Sequence, residues 1–254
     1  MACSDGGPAM HDAILSLQGV SKGFGGLKVI NGVSFTVRRG SRTALIGPNG
    51  AGKTTIFNLV SGVYPVDEGS IHLDGKNLTA LPARVRIAHG VARSFQNVRL
   101  MPHLSTVENV MLGEHWRSSP FALARGRKAT RAAEAALADA GLGTYSGQVV
   151  ANLPYGIQKR IEVVRALAAA PKLLLLDEPA AGLNSAESDE LRALLERASS
   201  RGITLLVVEH DMHFVRRLCD RVVVLNFGRM IFEGTPEEVH LDPLVREAYL
   251  GVSA

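Results

Sequence analysis

The chain has 254 residues, 46% hydrophobic and 20% charged, with a net charge of +4. That is the composition of an ordinary globular protein with room for a real core, and its small positive excess reads as a solvated basic surface rather than a nucleic-acid or membrane footprint. No apolar run approaches the ~20 residues of a helical membrane span, and Cys3 and Cys219 make no disulfide or metal pattern, which points to a reducing compartment.

In chain order, Met1–Asp12 lacks the charged start and apolar run of a signal peptide and reads as a frayed tail. Ala13–Val20 and Val33–Val37 are predicted strands, with Arg38, Arg39 and Gly40 as a turn, and Thr43–Ile46 is a short buried strand. A helical stretch opens at Ile56 and stops at Gly62. Ser70–Leu73 is a strand closed by Asp74 and Gly75. Pro82–His89 is a helix with Pro82 in its first turn, stopped by Gly90. Val91–Gln96 returns to strand character, and Ser105–Leu112 opens with a capping box completed by Glu108.

From Trp116 to Gly147 the composition shifts. Arg117, Arg125, Arg127, Lys128 and Arg131 cluster, and Ala129–Ala140 is an alanine-rich helix that ends at Gly141. Ile157–Ala170 is a long amphipathic helix that Pro171 blocks. Leu173–Leu176, Ile203–Val208, Val222–Asn226 and Met230–Phe232 are strands. Ala186–Ser199, Asp211–Cys219, Pro236–His240 and Pro243–Leu250 are helices. Strands alternating with helices predict an α/β fold with a mostly parallel sheet.

The stretch Gly47-Pro48-Asn49-Gly50-Ala51-Gly52-Lys53-Thr54-Thr55 fits the phosphate-loop pattern G-x-x-x-x-G-K-[ST], with a strand before it and a helix after it. Its glycines let backbone N–H groups turn inward, and the helix start adds its positive end, so a polyphosphate is expected there. Lys53 is placed to reach the β- and γ-phosphates, Thr54 to offer its hydroxyl to Mg²⁺, and Thr55 to touch the α-phosphate. The loop alone leaves kinases, GTPases and ATPases open. A second anchor narrows the choice. Leu173–Leu176 leads into Asp177 and Glu178 at the carboxyl end of a strand, where parallel sheets present ligands. There Asp177 suits Mg²⁺ held through water, and Glu178 suits polarisation of an attacking water.

With both anchors present, the chain resembles the ATP-binding cassette family over about Ile14–Leu250, with motifs in the family order. The resemblance implies a P-loop NTPase fold with a mostly parallel core sheet, an antiparallel β subdomain and a helical insertion. One cassette domain would span 1–254, with its insertion at about 98–160 and a short helical tail at about 236–254. It implies that Phe24 stacks on adenine. Gln96 would touch both Mg²⁺ and the attacking water, and His210 would contact the γ-phosphate. Leu153-Pro154-Tyr155-Gly156 stands where the family carries its L-S-G-G-Q signature, which closes over the ATP of the other subunit. Here Pro154 replaces the serine and Tyr155 the first glycine, so only Gly156, Tyr155 and the following helix start are left to face nucleotide. Asn184 stands where the family has an aspartate.

The segments Phe24–Leu27, Arg93–Leu100, Asp177–Asn184, Glu209–Met212 and Glu247–Gly251 resemble an ATP-binding subunit of the branched-chain amino-acid importers. That resemblance implies ATP hydrolysis at the cytoplasmic face of a membrane, with ATP and Mg²⁺ as ligands and Lys53, Gln96, Glu178 and His210 as catalytic groups. Its expected partners are hydrophobic permease subunits, a second cassette chain in a heterodimer and, indirectly, a solute-binding protein, with no nucleic acid. Importers of urea and short amides, an exporter, a soluble cassette protein of translation or DNA repair, and a non-hydrolysing nucleotide sensor are the alternatives.

Overall fold

The computed structural model describes residues 12–114 and 126–250. Two sheets divide the chain. β1 (Ala13–Phe24), β2 (Leu27–Arg38), β4 (Glu68–Leu73) and β5 (Lys76–Asn77) form an antiparallel sheet in the order β2-β1-β4-β5. β3 (Arg42–Ile46), β6 (Val91–Arg93), β7 (Leu173–Asp177), β8 (Thr204–Val208), β9 (Arg221–Asn226) and β10 (Arg229–Gly234) form the second, in the order β10-β9-β3-β8-β7-β6. All pairs of that sheet are parallel except β9 with β10.

The parallel strands are apolar throughout because both faces are covered. Successive side chains point to opposite faces, so each strand serves two cores. Leu174, Leu176, Leu205, Val207, Val222 and Val224 share a cluster with residues of α5 (Tyr155–Ala168), α6 (Ser185–Ser200) and α7 (Met212–Leu218). Leu173, Leu175, Leu206, Val208, Val223 and Leu225 share the other with α1 (Lys53–Ser61) and the antiparallel sheet. α3 (Thr106–Glu114) and α4 (Gly126–Asp139) pack with α5 as the helical insertion, and α8 (Pro243–Leu250) ends the described chain. α2 (Ala83–Ala88) packs beside α1.

Local capping explains several boundaries. Ser105 Oγ accepts from Glu108 N at 3.2 Å while Glu108 returns to Ser105 N at 2.7 Å, the expected capping box. Asn184 caps α6 in a second box, bonded to Glu187 N at 3.0 Å. Asn caps as well as Asp, so the missing charge costs this helix nothing.

Other expectations need correcting. Pro82 is the N-cap of α2 and lies outside its first turn. β6 stops at Arg93, three residues short of Gln96; the bond from Ser94 N to the Leu175 carbonyl is the last rung of its parallel pairing with β7. α5 starts at Tyr155 and ends at Ala168. Ala170, at φ +47°, is already left-handed ahead of Pro171. The segment expected as a helix at Pro236–His240 is one 3-10 turn, Glu238–His240. The frayed tail at 1–11, Trp116 with Arg117 and Arg125 of the basic cluster, and the end of the tail at 251–254 lie outside the described residues.

Asp74, in the β4–β5 turn, bonds both Lys172 and Arg39, and these hold its pKa down to about 2. A carboxylate depressed on folding stabilises above its unfolded pKa, near 4, and loses that contribution as pH falls through the folded value. Because the pairs are solvent-screened, Asp74→Asn is expected to lower the melting temperature at pH 7 by no more than about 3 °C. The difference from wild type should close between pH 4 and 2, read by thermal melts across that range.

Candidate functional site

The parallel strands place the motifs in a row. The carboxyl ends of β3, β8, β7 and β6 lead respectively into the phosphate loop, His210, Glu178 and the Gln96 segment. Neighbouring parallel strands end on the same side, so residues far apart in sequence meet there.

In the loop, Gly47 runs against β9. A Cβ there would lie 2.2 Å from the Leu225 carbonyl oxygen, so only glycine fits. The first bond of α1 runs from Ile56 N to Gly52 O at 3.0 Å. The amides of Lys53, Thr54 and Thr55 therefore have no intrahelical acceptor and are available to an anion. Gly50, at φ +80°, and Gly52, at φ +104°, take backbone shapes that L side chains resist. Ala51 N bonds Pro48 O at 3.1 Å and Ala51 O accepts from Gly228 N at 3.0 Å, which fixes the loop on the β9–β10 turn. Asn49, Gly50 and Thr54 are exposed on the open side. Lys53 Nζ lies over the loop, 2.7 Å from Gly47 O and 3.0 Å from Pro48 O. Burial pushes its pKa down, while Glu178 and Asp177 oppose that shift. The ammonium, the free amides and the glycine cradle fit a triphosphate.

Asp177 is buried, and its Oδ2 accepts from Arg93 Nη2 at 2.8 Å. Glu178 takes φ +45°, a strained conformation for a residue with a side chain. Its amide bonds Val208 O at 2.9 Å, and its Oε2 accepts from Gln96 Nε2 at 2.7 Å. The structure thus brings Gln96 and Glu178 together directly, and it places Lys53 close enough to feel both carboxylates. His210 stands 68% exposed at the end of β8, with Nδ1 3.9 Å from Glu209 Oε2. Among the described residues, no group of three or more His, Cys, Asp or Glu could hold a metal alone. Mg²⁺ needs no such cage in this class of site, since phosphates and water supply most of its ligands. Thr54 hydroxyl, the Asp177 carboxylate and the Gln96 amide are oxygen donors of the kind Mg²⁺ takes.

Phe24 is 41% exposed at the tip of β1, edge-on to Tyr64 at 5.1 Å. It is not a core residue; Lys22 Nζ lies over the ring, 5.4 Å from its centroid, and its exposure leaves the ring accessible for stacking. Tyr155 and Gly156 lie at the start of α5, against the segment after Glu178 rather than against the phosphate loop. A Cβ on Gly182 would be 3.2 Å from the Tyr155 ring, and one on Gly156 would be 2.4 Å from Glu187 Oε1. Glu187 is held in the α6 capping box, so Gly156 has no room to enlarge.

Sequence reading assigned no role to three buried charges that organise this site. Glu209 bonds Ala180 N at 2.8 Å and His210 N at 3.2 Å, joining the ends of β8 and β7. Burial pushes its pKa up. Lys159 of α5 donates to the carbonyls of Gln96, Phe95 and Glu178. Arg93 binds Asp177 and Asn58. Their one signal in the sequence is position, next to motif residues.

Comparison with known proteins agrees with this architecture. The family described as "ABC transporter" matches residues 30–181, and the family described as "Branched-chain amino acid ATP-binding cassette transporter" matches residues 229–254. The chain is 39% identical to "High-affinity branched-chain amino acid transport ATP-binding protein BraF" of Pseudomonas aeruginosa, over 95% of this chain and 99% of that protein. It is 38% identical to "High-affinity branched-chain amino acid transport ATP-binding protein LivG" of Escherichia coli, with the same coverage. A crystal structure of the ADP conformation of MJ1267, an ATP-binding cassette of an ABC transporter, superposes with a TM-score of 0.85 at 30% identity, covering 94% of this chain and 99% of that one. With that coverage and the site geometry above, the chain belongs to the ABC transporter family, as one of its ATP-hydrolysing cassettes.

Proposed function

We propose that this cassette powers import of branched-chain amino acids through a membrane permease. The observation that carries the reading is likeness over nearly the full length to BraF and LivG, extended by the branched-chain family match at residues 229–254. The site geometry supports a role for each motif residue. Gly47, Pro48, Asn49, Gly50, Ala51 and Gly52 cradle the phosphates, with Thr55 at the α-phosphate and Phe24 on the adenine. Lys53 leaves its loop carbonyls to neutralise the β- and γ-phosphates. Thr54, Asp177 and Gln96 would hold Mg²⁺, which would supply charge neutralisation on the phosphate oxygens when bound. Glu178 accepts a proton from the attacking water, Gln96 keeps that carboxylate in line, and His210 contacts the γ-phosphate from the β8 end.

Tyr155, Gly156 and the amino end of α5 close over the nucleotide of a second cassette, with the helix dipole in place of the missing serine hydroxyl. The MJ0796 cassette, 25% identical to this chain with a TM-score of 0.77, has been crystallised as a dimer. For this chain we favour a heterodimer at the cytoplasmic face of the membrane. No described helix is long and apolar enough to cross a membrane. A cleft of about 440 Å³ between α2, β6, α3 and α5, lined by Val63, Ile87, Phe95, Met101 and Leu112, offers the permease an apolar seat beside Gln96.

Uptake of radiolabelled leucine by cells lacking this chain is the test. Wild type should restore uptake and Glu178→Gln should not. Restored uptake of urea or amides with leucine uptake unchanged would reassign the cargo. Lys53→Ala should weaken ATP binding about 10- to 100-fold, the loss of a charge-assisted phosphate contact, measured by isothermal titration. Unchanged affinity would remove Lys53 from the site.

A further inference from the structure

Arg93 is placed oddly for a surface cation at a strand end. Its side chain is only 10% exposed, and so is that of its ion-pair partner Asp177. Nη2 donates to Asp177 Oδ2 at 2.8 Å, and Nη1 donates to Asn58 Oδ1 at 2.6 Å. Asn58 lies one turn beyond Thr54 on α1, so the two share a helix face. The guanidinium also rests on two rings. Its central carbon is 5.7 Å from the Phe57 centroid and 5.1 Å from the Phe95 centroid. With a longer bond from Nη1 to Ser61 Oγ at 3.5 Å, three hydrogen bonds and two aromatic contacts leave this group little freedom.

That arrangement has a consequence for Asp177. Burying a carboxylate without a partner is costly. Arg93 occupies one of its oxygens, Oδ2, through a single charge-assisted hydrogen bond. Among the described residues the other oxygen, Oδ1, accepts no hydrogen bond. The carboxylate is tied through Arg93 and Asn58 to the same helix that carries Thr54. Two of the three protein groups assigned to Mg²⁺, Asp177 and Thr54, are thereby set in one frame before any ligand arrives.

We propose that Arg93 is a positioning residue for the Mg²⁺ site, holding Asp177 with one oxygen presented and in register with Thr54. The proposal rests on the nucleotide-site reading above. It assigns Arg93 no contact with nucleotide or metal.

The test is ATP binding to the full chain by isothermal titration, in EDTA and in excess Mg²⁺, for wild type and variants. The quantity read is the tightening that Mg²⁺ produces. Arg93→Met is expected to keep the EDTA affinity within about twofold of wild type and to lose about tenfold of the tightening, the effect of one charge-assisted contact. Arg93→Lys should recover part of it. Asn58→Leu, which removes the second anchor but keeps the guanidinium, should lose about threefold. Full Mg²⁺ tightening in Arg93→Met overturns the proposal. So does an equal loss in EDTA and in Mg²⁺, which would mark general damage to the nucleotide site. If Arg93→Met does not melt cooperatively, Arg93→Lys and Asn58→Leu carry the test, and full tightening in both overturns it. A wild-type chain that binds no ATP under either condition would instead sink the nucleotide-site reading itself.

Discussion

Glu178→Gln is expected to lower ATP turnover by about 10² to 10⁴ while leaving ATP affinity within about threefold of wild type. The range is that of removing a positioned general base. The substitution keeps volume and shape. Gln96 Nε2, 2.7 Å from Glu178 Oε2 in the native protein, can still donate to an amide oxygen at that position. The backbone at φ +45° is already set by the bond from Glu178 N to Val208 O, and the new side chain places no different demand on it. Only the ability to accept a proton from water disappears. Binding and turnover should therefore separate, with ATP bound and hydrolysis stalled. Because the stalled state keeps its γ-phosphate, the variant should accumulate as a cassette dimer in ATP, seen by light scattering. Hydrolysis within a few-fold of wild type would remove Glu178 from its role.

Arg86→Met is expected to destabilise the fold by about 3 kcal/mol without touching the site. Arg86 is 1% exposed and, among the described residues, has no carboxylate partner. Its guanidinium donates instead to four backbone carbonyls, those of Leu59, Val60, Leu81 (2.8 Å) and Thr79 (3.0 Å). Two of them belong to the last turn of α1, whose carbonyls have no helical donor and carry the negative end of the helix dipole. Methionine fills the same space, so the cost comes from the orphaned acceptors, about 1–3 kcal/mol for each left dry. Leu59 O keeps a bond from Gly62 N, and loss of the desolvated cation returns part of the cost. A net of about 3 kcal/mol corresponds to a fall in melting temperature of about 6–12 °C for a domain of this size. Calorimetry of the purified chain measures it. A change under 2 °C would show that these carbonyls find other donors.

Much of the site could be read in the sequence because its parts are local patterns. The phosphate loop carries its own strand and helix, and the Leu173–Leu176 run identifies a strand with both faces covered, whose end must present Asp177 and Glu178. The row formed with Gln96 and His210 needed the family order, since nothing in the residues alone says that β6, β7 and β8 are neighbours. Arg86, Arg93, Lys159 and Glu209 escaped for a different reason. Charged residues are expected outside, and their burial depends on acceptors brought from distant segments, as when Leu59 and Thr79 converge on Arg86. Asn184 was legible as a substitution, and its part in capping α6 emerges only in the fold. β5, two residues paired with the end of β4, is too short to leave any pattern.

Purifying the tagged chain gently from solubilised native membranes, and identifying what accompanies it, tests the central claim most directly. Two very hydrophobic subunits and a second cassette should co-purify in fixed proportion, with ATPase activity that Glu178→Gln abolishes. Recovery of the chain with ribosomal or DNA-repair proteins and no hydrophobic subunit would contradict the account.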